Sequence, residues 1–112
     1  MAQVRKGAFN LAGNQVDLIG PELKVGDRAP DFTAVTTDLK GVKGSDWKGK
    51  VRVLLSVPSL DTSVCDREAR RFNQEALHLS DDIVILTLSM DLPFAQKRWC
   101  QANESDRLIT LS

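Results

Sequence analysis

At 112 residues, 42% hydrophobic and 27% charged, the chain has the composition of one globular domain whose core needs no disulfide or metal staples. A formal net charge of zero leaves no excess of Lys and Arg to neutralise phosphates, which argues against a nucleic-acid binder. No stretch approaches the ~18 apolar residues of a membrane helix, and the first residues lack the apolar segment of a secretory signal.

In chain order, residues 8–19 alternate apolar and polar around Gly13-Asn14, with Phe9 and Leu11 before the turn and Val16 and Leu18 after it. This pattern predicts a β-hairpin, ended by Gly20-Pro21. Residues 24–31 read as a loop. Residues 32–37, rich in β-branched side chains, predict a strand. Residues 38–49 form a Gly- and Lys-bearing connection, with a helical turn capped by Ser45 or Asp46 and anchored by Trp47.

Residues 51–57 are a near-continuous apolar run of strand length, the pattern of a central strand buried on both faces. A helix is expected over 64–79. Ser63 with Asp66 gives it a capping-box-like start, and Ala69, Phe72, Ala76, Leu77 and Leu79 supply its apolar face. Residues 83–90 predict a second buried strand. Asp91-Leu92-Pro93 opens another helix, running to about Gln101, and residues 108–111 predict a third core strand. Strand, helix, strand at this spacing is a βαβ unit with parallel strands and a right-handed crossover. The fold class is α/β, as a single domain over residues 1–112.

Cys65 then lies just beyond the carboxyl end of a strand, inside the first turn of a helix, where open α/β sheets place their sites. Backbone N–H donors and the positive end of the helix dipole favour thiolate over thiol at such a position. The second cysteine, Cys100, is too distant for a C-x-x-C pair, and a disulfide between the two requires some rearrangement. Two thiols in a reducing cytosol point to catalysis or redox sensing, against the bland alternative of two inert buried thiols. Thr62 stands one turn before Cys65, where its hydroxyl can donate to the sulfur or to a bound substrate. Pro58 has no N–H and fixes the chain's path, so it can shield a thiolate without competing for it.

The motif P-x-x-x-T-x-x-C formed by Pro58, Thr62 and Cys65 resembles that of the peroxiredoxins. Residues 58–65 and 89–100 resemble the bacterial thiol peroxidase branch, of the atypical two-cysteine type. Val25-Gly26-Asp27, Ala29-Pro30-Asp31-Phe32 and the N-terminal hairpin resemble the same family. The resemblance implies a thioredoxin-like fold in which Cys65 is the peroxidatic cysteine, Cys100 the resolving cysteine, and Thr62 and Pro58 shape the site. It implies reduction of hydrogen peroxide and organic hydroperoxides through a sulfenic acid and an intrachain disulfide, recycled by thioredoxin. It also implies a cytoplasmic homodimer that uses no metal or organic cofactor.

With both cysteines on helices, a segment around 62–67 or 95–101 must unwind for the sulfurs to meet. The closed loop then constrains the unfolded chain by roughly 3–4 kcal/mol, less native strain. The resemblance further implies a β-hairpin and a final helix after Ser112, and an arginine from that part which stabilises the thiolate. Arg67, Arg70, Arg71 and Arg98 do not occupy that position and read as a solvated helix surface, with Asp66–Arg70 as an i,i+4 pair. Without that hairpin, the strand at 51–57 is expected to have an unpaired edge.

His78 reads as a surface or helix-end residue, and one histidine with two distant cysteines does not make a zinc site. Trp47 and Trp99 read as packing anchors, and Trp99 beside Cys100 has the further option of shaping a hydroperoxide approach face. Two other functional classes compete with the peroxidase. A non-catalytic redox-sensing or interaction module would use the same disulfide. A thioredoxin-like reductase is disfavoured by the absence of C-x-x-C.

Overall fold

The computed structural model describes residues 3–105 and 107–112. The backbone forms two compact units, one through Pro30 and one from Asp31 onward. Among the described residues, no helix is long and apolar enough to cross a membrane.

The first unit is the expected hairpin, with β1 (Val4–Leu11) antiparallel to β2 (Asn14–Ile19). Its turn is displaced by one residue from the sequence expectation. Ala12 and Gly13, not Gly13 and Asn14, occupy the central positions, with φ of 51° and 84°. A two-residue hairpin loop of the type that matches strand twist needs positive φ at both central positions. Gly13 meets that demand without strain, Ala12 tolerates it, and Asn14 is left to pair with Leu11.

In the second unit, the strand expected over 32–37 contracts to β3 (Thr33–Val35). It pairs with a strand that sequence reasoning left inside a connection, β4 (Gly41–Lys43). A single 3₁₀ turn, Gly44–Trp47, follows. Its cap is Lys43 rather than Ser45 or Asp46: the Lys43 N–H donates to Asp46 Oδ2 at 2.8 Å, so Asp46 reaches back from inside the turn. Ser45 serves Asp31 instead, donating from its N–H and its hydroxyl at 2.9 Å each, which holds the Asp31 carboxyl below its ordinary value. A Cβ on Gly44 would stand 2.6 Å from the Phe32 ring, so only glycine admits this approach.

Three strands then form a parallel sheet in the order β5 (Val51–Ser56), β6 (Ile83–Leu88), β7 (Leu108–Leu111). The crossovers are α1 (Ser63–Ala76) and α2 (Pro93–Ala102). Both run in the same direction across the sheet, which puts both helices on one face. There Leu55, Ile85 and Leu108 meet Ala69 and Ala76 of α1 and Trp99 of α2. On the other face Leu86 and Leu111 pack with Ala34, Phe32, Val42 and Trp47. A bridge between Thr36 and Leu111 ties the β3–β4 hairpin to β7.

The sheet order and the bounds of α1 differ from expectation. The central strand is β6, and β5 is an edge strand whose outer side pairs with no strand among the described residues, with Val51 60% and Leu54 48% exposed. An apolar run records what burial its residues suit, not how many neighbours flank them. The unpaired edge anticipated for this strand is present. Helix α1 also starts and stops earlier than expected. Its N-cap is Thr62, Ser63 is its first residue, and Leu77 and Leu79 fall beyond its end and are exposed. Asp66 therefore does not close a capping box on Ser63 and is free for other partners.

Candidate active site

Cys65 occupies the third position of α1, which follows the carboxyl end of β5 through the loop 57–62. The first N–H bonded back into the helix is that of Asp66, which donates to the Thr62 carbonyl at 2.8 Å. The N–H groups of residues 63–65 are therefore the open donors of the first turn, and the thiol sits among them. Cys65 is half-buried and packs against the apolar cluster under the helices.

The loop leading to Cys65 is held from across the sheet by Asp91. Its Oδ1 accepts from the Ser59 hydroxyl at 2.6 Å, and its Oδ2 accepts from the Leu60 N–H and the Ser89 hydroxyl at 2.8 Å each. Partial burial pushes this carboxyl up, but the donations from Leu60, Ser59 and Ser89 outweigh burial and hold it below its ordinary value. The Met90 N–H donates to the Pro58 carbonyl at 3.2 Å, fastening the same loop a second time. Sequence reasoning read Asp91 only as part of a helix start. The available signal was a carboxylate just past a parallel strand's end, level with a serine-bearing loop after the neighbouring strand.

Pro58 is exposed at the start of this loop, and Thr62 is exposed at its end. The Thr62 hydroxyl donates to the Ser59 carbonyl at 2.9 Å, so its proton is engaged within the loop and not at the Cys65 sulfur, where the sequence placed it. Its oxygen accepts no capping hydrogen bond from the first turn of α1.

Cys100 lies late in α2 and packs against the same apolar cluster as Cys65. Its sulfur is 3.5 Å from the Thr110 hydroxyl. Both cysteines are free thiols, so the structure is that of the dithiol state. The residues next to them join the helices: the Trp99 indole N–H donates to Asp66 Oδ1 at 2.7 Å, while Arg70 pairs with Asp66 Oδ2 at 2.8 Å. The expected Asp66–Arg70 pair is thus present, and Trp99 and Trp47 are packing residues of the two cores. His78 is exposed just past α1.

The chemistry available at this site is that of a thiol at a helix start with a second thiol on the neighbouring helix. The AhpC/TSA family model matches residues 25–111. A thiol peroxidase of Oceanobacillus iheyensis is 61% identical over 97 residues, covering 87% of this chain and 58% of that protein. One from Bacillus subtilis is 53% identical over 104 residues, covering 93% of this chain and 62% of that protein. The solved peroxiredoxin-like protein from Aquifex aeolicus matches with a TM-score of 0.87 at 43% identity, over 96% of this chain and 63% of that one. The chain spans about three fifths of the length of the curated relatives it matches. Its fold is thioredoxin-like, of the peroxiredoxin kind. The chain belongs to the AhpC/TSA family, as a relative of the bacterial thiol peroxidases.

Proposed function

We propose that this chain carries the two thiols of a thiol-dependent peroxidase, with Cys65 peroxidatic and Cys100 resolving. The observation that carries the reading is the placement of Cys65 among the open N–H donors of α1, at the end of a loop fixed by Asp91. The Cys65 sulfur attacks the terminal oxygen of a hydroperoxide, the O–O bond breaks, and the departing oxygen takes a proton to leave as water or an alcohol. Cys65 is left as sulfenic acid. The Cys100 sulfur then attacks the Cys65 sulfur, the S–O bond breaks, and hydroxide leaves with the Cys100 proton as water. Two electrons from a dithiol such as thioredoxin restore both thiols by exchange.

Pro58 and Thr62 shape the approach to Cys65 in this reading, Pro58 by presenting no competing N–H and Thr62 through its hydroxyl. The exposed apolar side chains Val64, Met90, Leu92 and Phe94, which follow the carboxyl ends of β5 and β6, support a homodimer that covers this rim. A cytoplasmic location suits two thiols that must return to the reduced state.

Stopped-flow mixing of the reduced chain with hydrogen peroxide and with cumene hydroperoxide, followed by thioredoxin-coupled turnover, tests the assignment. Oxidation of Cys65 well above the rate of a free thiol, with steady consumption of reducing equivalents, is expected. A single round of oxidation without turnover would instead support a redox-sensing module. Oxidation no faster than a free thiol would exclude a peroxidase.

A further inference from the structure

Gln96 is 0% exposed on α2, and neither the peroxide step nor the disulfide step uses it. Its amide nitrogen donates to the Leu111 carbonyl at 2.8 Å and to the Ser89 hydroxyl at 2.9 Å. A carbonyl only accepts, so the nitrogen is the amide atom that must face β7. Ser89, 8% exposed, has one hydroxyl proton, which goes to Asp91 Oδ2 at 2.8 Å. An ionised carboxylate also only accepts, so these bonds have one direction, from Gln96 through Ser89 to Asp91. Each donation to the Ser89 oxygen polarises its hydroxyl and strengthens the bond to Asp91. The Ser112 hydroxyl holds Asp91 from another side, donating to its backbone carbonyl at 2.7 Å.

The other end of this run reaches Cys65. Asp91 accepts from the Ser59 hydroxyl and the Leu60 N–H, and the Ser59 carbonyl accepts from the Thr62 hydroxyl at 2.9 Å. Thr62 is the N-cap of α1, whose first turn holds Cys65. Hydrogen bonds thus join α2 to the start of α1 without a break, across the carboxyl ends of the sheet. Donors that must meet a reacting oxygen tolerate little displacement, and a small shift far from the chemistry is enough to slow it. We propose that Gln96 and Ser89 are positioning residues for the peroxide step, acting through Asp91 to fix the loop 57–62 and the geometry in which a hydroperoxide meets Cys65. The inference rests on the peroxidase reading for the identity of that step.

Ser89→Ala and Gln96→Met each cut the run at a different link, and each is made with Cys100→Ser so that Cys65 alone reacts. Two reagents are compared, because hydrogen peroxide needs oriented donors for its oxygens whereas alkylation by iodoacetamide does not. Both variants should react with peroxide about tenfold more slowly, and with iodoacetamide no more than about twofold more slowly. Amide exchange at Leu60 should quicken in both, with exchange at Ala69 in the middle of α1 unchanged. Val42→Ala, in the core on the opposite face of the sheet, should lower the melting temperature and alter neither rate. Equal slowing with the two reagents, or an unchanged peroxide rate with unchanged Leu60 exchange, would overturn the proposal; should one variant fail to fold, the other decides. If peroxide oxidises Cys65 of the unaltered chain no faster than a free thiol, the peroxidase reading falls, and Leu60 exchange still decides whether Gln96 and Ser89 hold the loop.

Discussion

Helix α1 carries Cys65 in its first turn, buries Ala69 and Ala76, and pairs Arg70 with Asp66 and Arg71 with Glu75 along its surface. Helix α2 is ten residues long and turns Gln96 and Cys100 inward. Isolated helices shorter than about 12–15 residues are marginal, so both helices depend on tertiary contacts, the ten-residue α2 more than the 14-residue α1. The contrast suits two thiols with different tasks. A nucleophile gains from donors that are already oriented when the substrate arrives. In the proposed reading, a resolving thiol must travel to reach its partner sulfur.

The largest expected effect on this contrast comes from Asp91, which anchors the Cys65 loop. Asp91→Ala removes the acceptor for Ser59, Leu60 and Ser89 and should destabilise the chain by roughly 2–4 kcal/mol in denaturant unfolding. It should also slow the reaction of Cys65 with peroxide, because the loop before the helix loses its fixed path. The same carboxylate sets an acid dependence. Its folded value lies below the ordinary 3.8, so its stabilisation is present above that value and is lost as pH falls through the lower folded value. Asp91→Asn should unfold less steeply with acid over that range than the unaltered chain.

Trp99→Phe comes next. It keeps most of the buried ring but removes the 2.7 Å donation to Asp66, and should cost about 1.5–3 kcal/mol of dithiol stability. Because that bond joins α2 to α1, the variant should also form its disulfide faster, read by quenched-flow alkylation. Slower disulfide formation would mean that the bond guides Cys100 rather than restrains it. The smallest effect is expected from Arg71→Ala, which removes an exposed i,i+4 pair with Glu75 at 3.0 Å. About 0.3–0.5 kcal/mol should be lost, with no change at either cysteine.

Particular residues show what the sequence alone made legible. The βαβ alternation, both cysteine-bearing helices and the parallel pairing of residues 51–57 with 83–90 follow from periodicity and length, which act locally. The strand Gly41–Lys43 was hidden because three residues with a glycine and a lysine carry no period, and only pairing with Thr33–Val35 makes them a strand. The edge position of β5 was hidden for a similar reason, since burial depends on neighbours from elsewhere in the chain. At the site, Cys65, Thr62, Pro58 and Cys100 stood out through motif spacing. Asp91 and Gln96 did not, because their importance lies in contacts with Ser59 and Ser89 that only the folded chain assembles.

The most direct measurement compares the two thiols one at a time. Cys100→Ser leaves Cys65 alone and Cys65→Ser leaves Cys100 alone, and each reduced variant is mixed with one equivalent of hydrogen peroxide. Sulfenic acid is then followed by a trapping reagent and site-resolved mass spectrometry. Cys65 alone should react about a hundredfold or more faster than Cys100 alone and should accumulate as sulfenic acid, because only it has oriented donors at a helix start. Equal rates for the two thiols, or faster oxidation of Cys100, would contradict the assignment of the peroxide chemistry to Cys65.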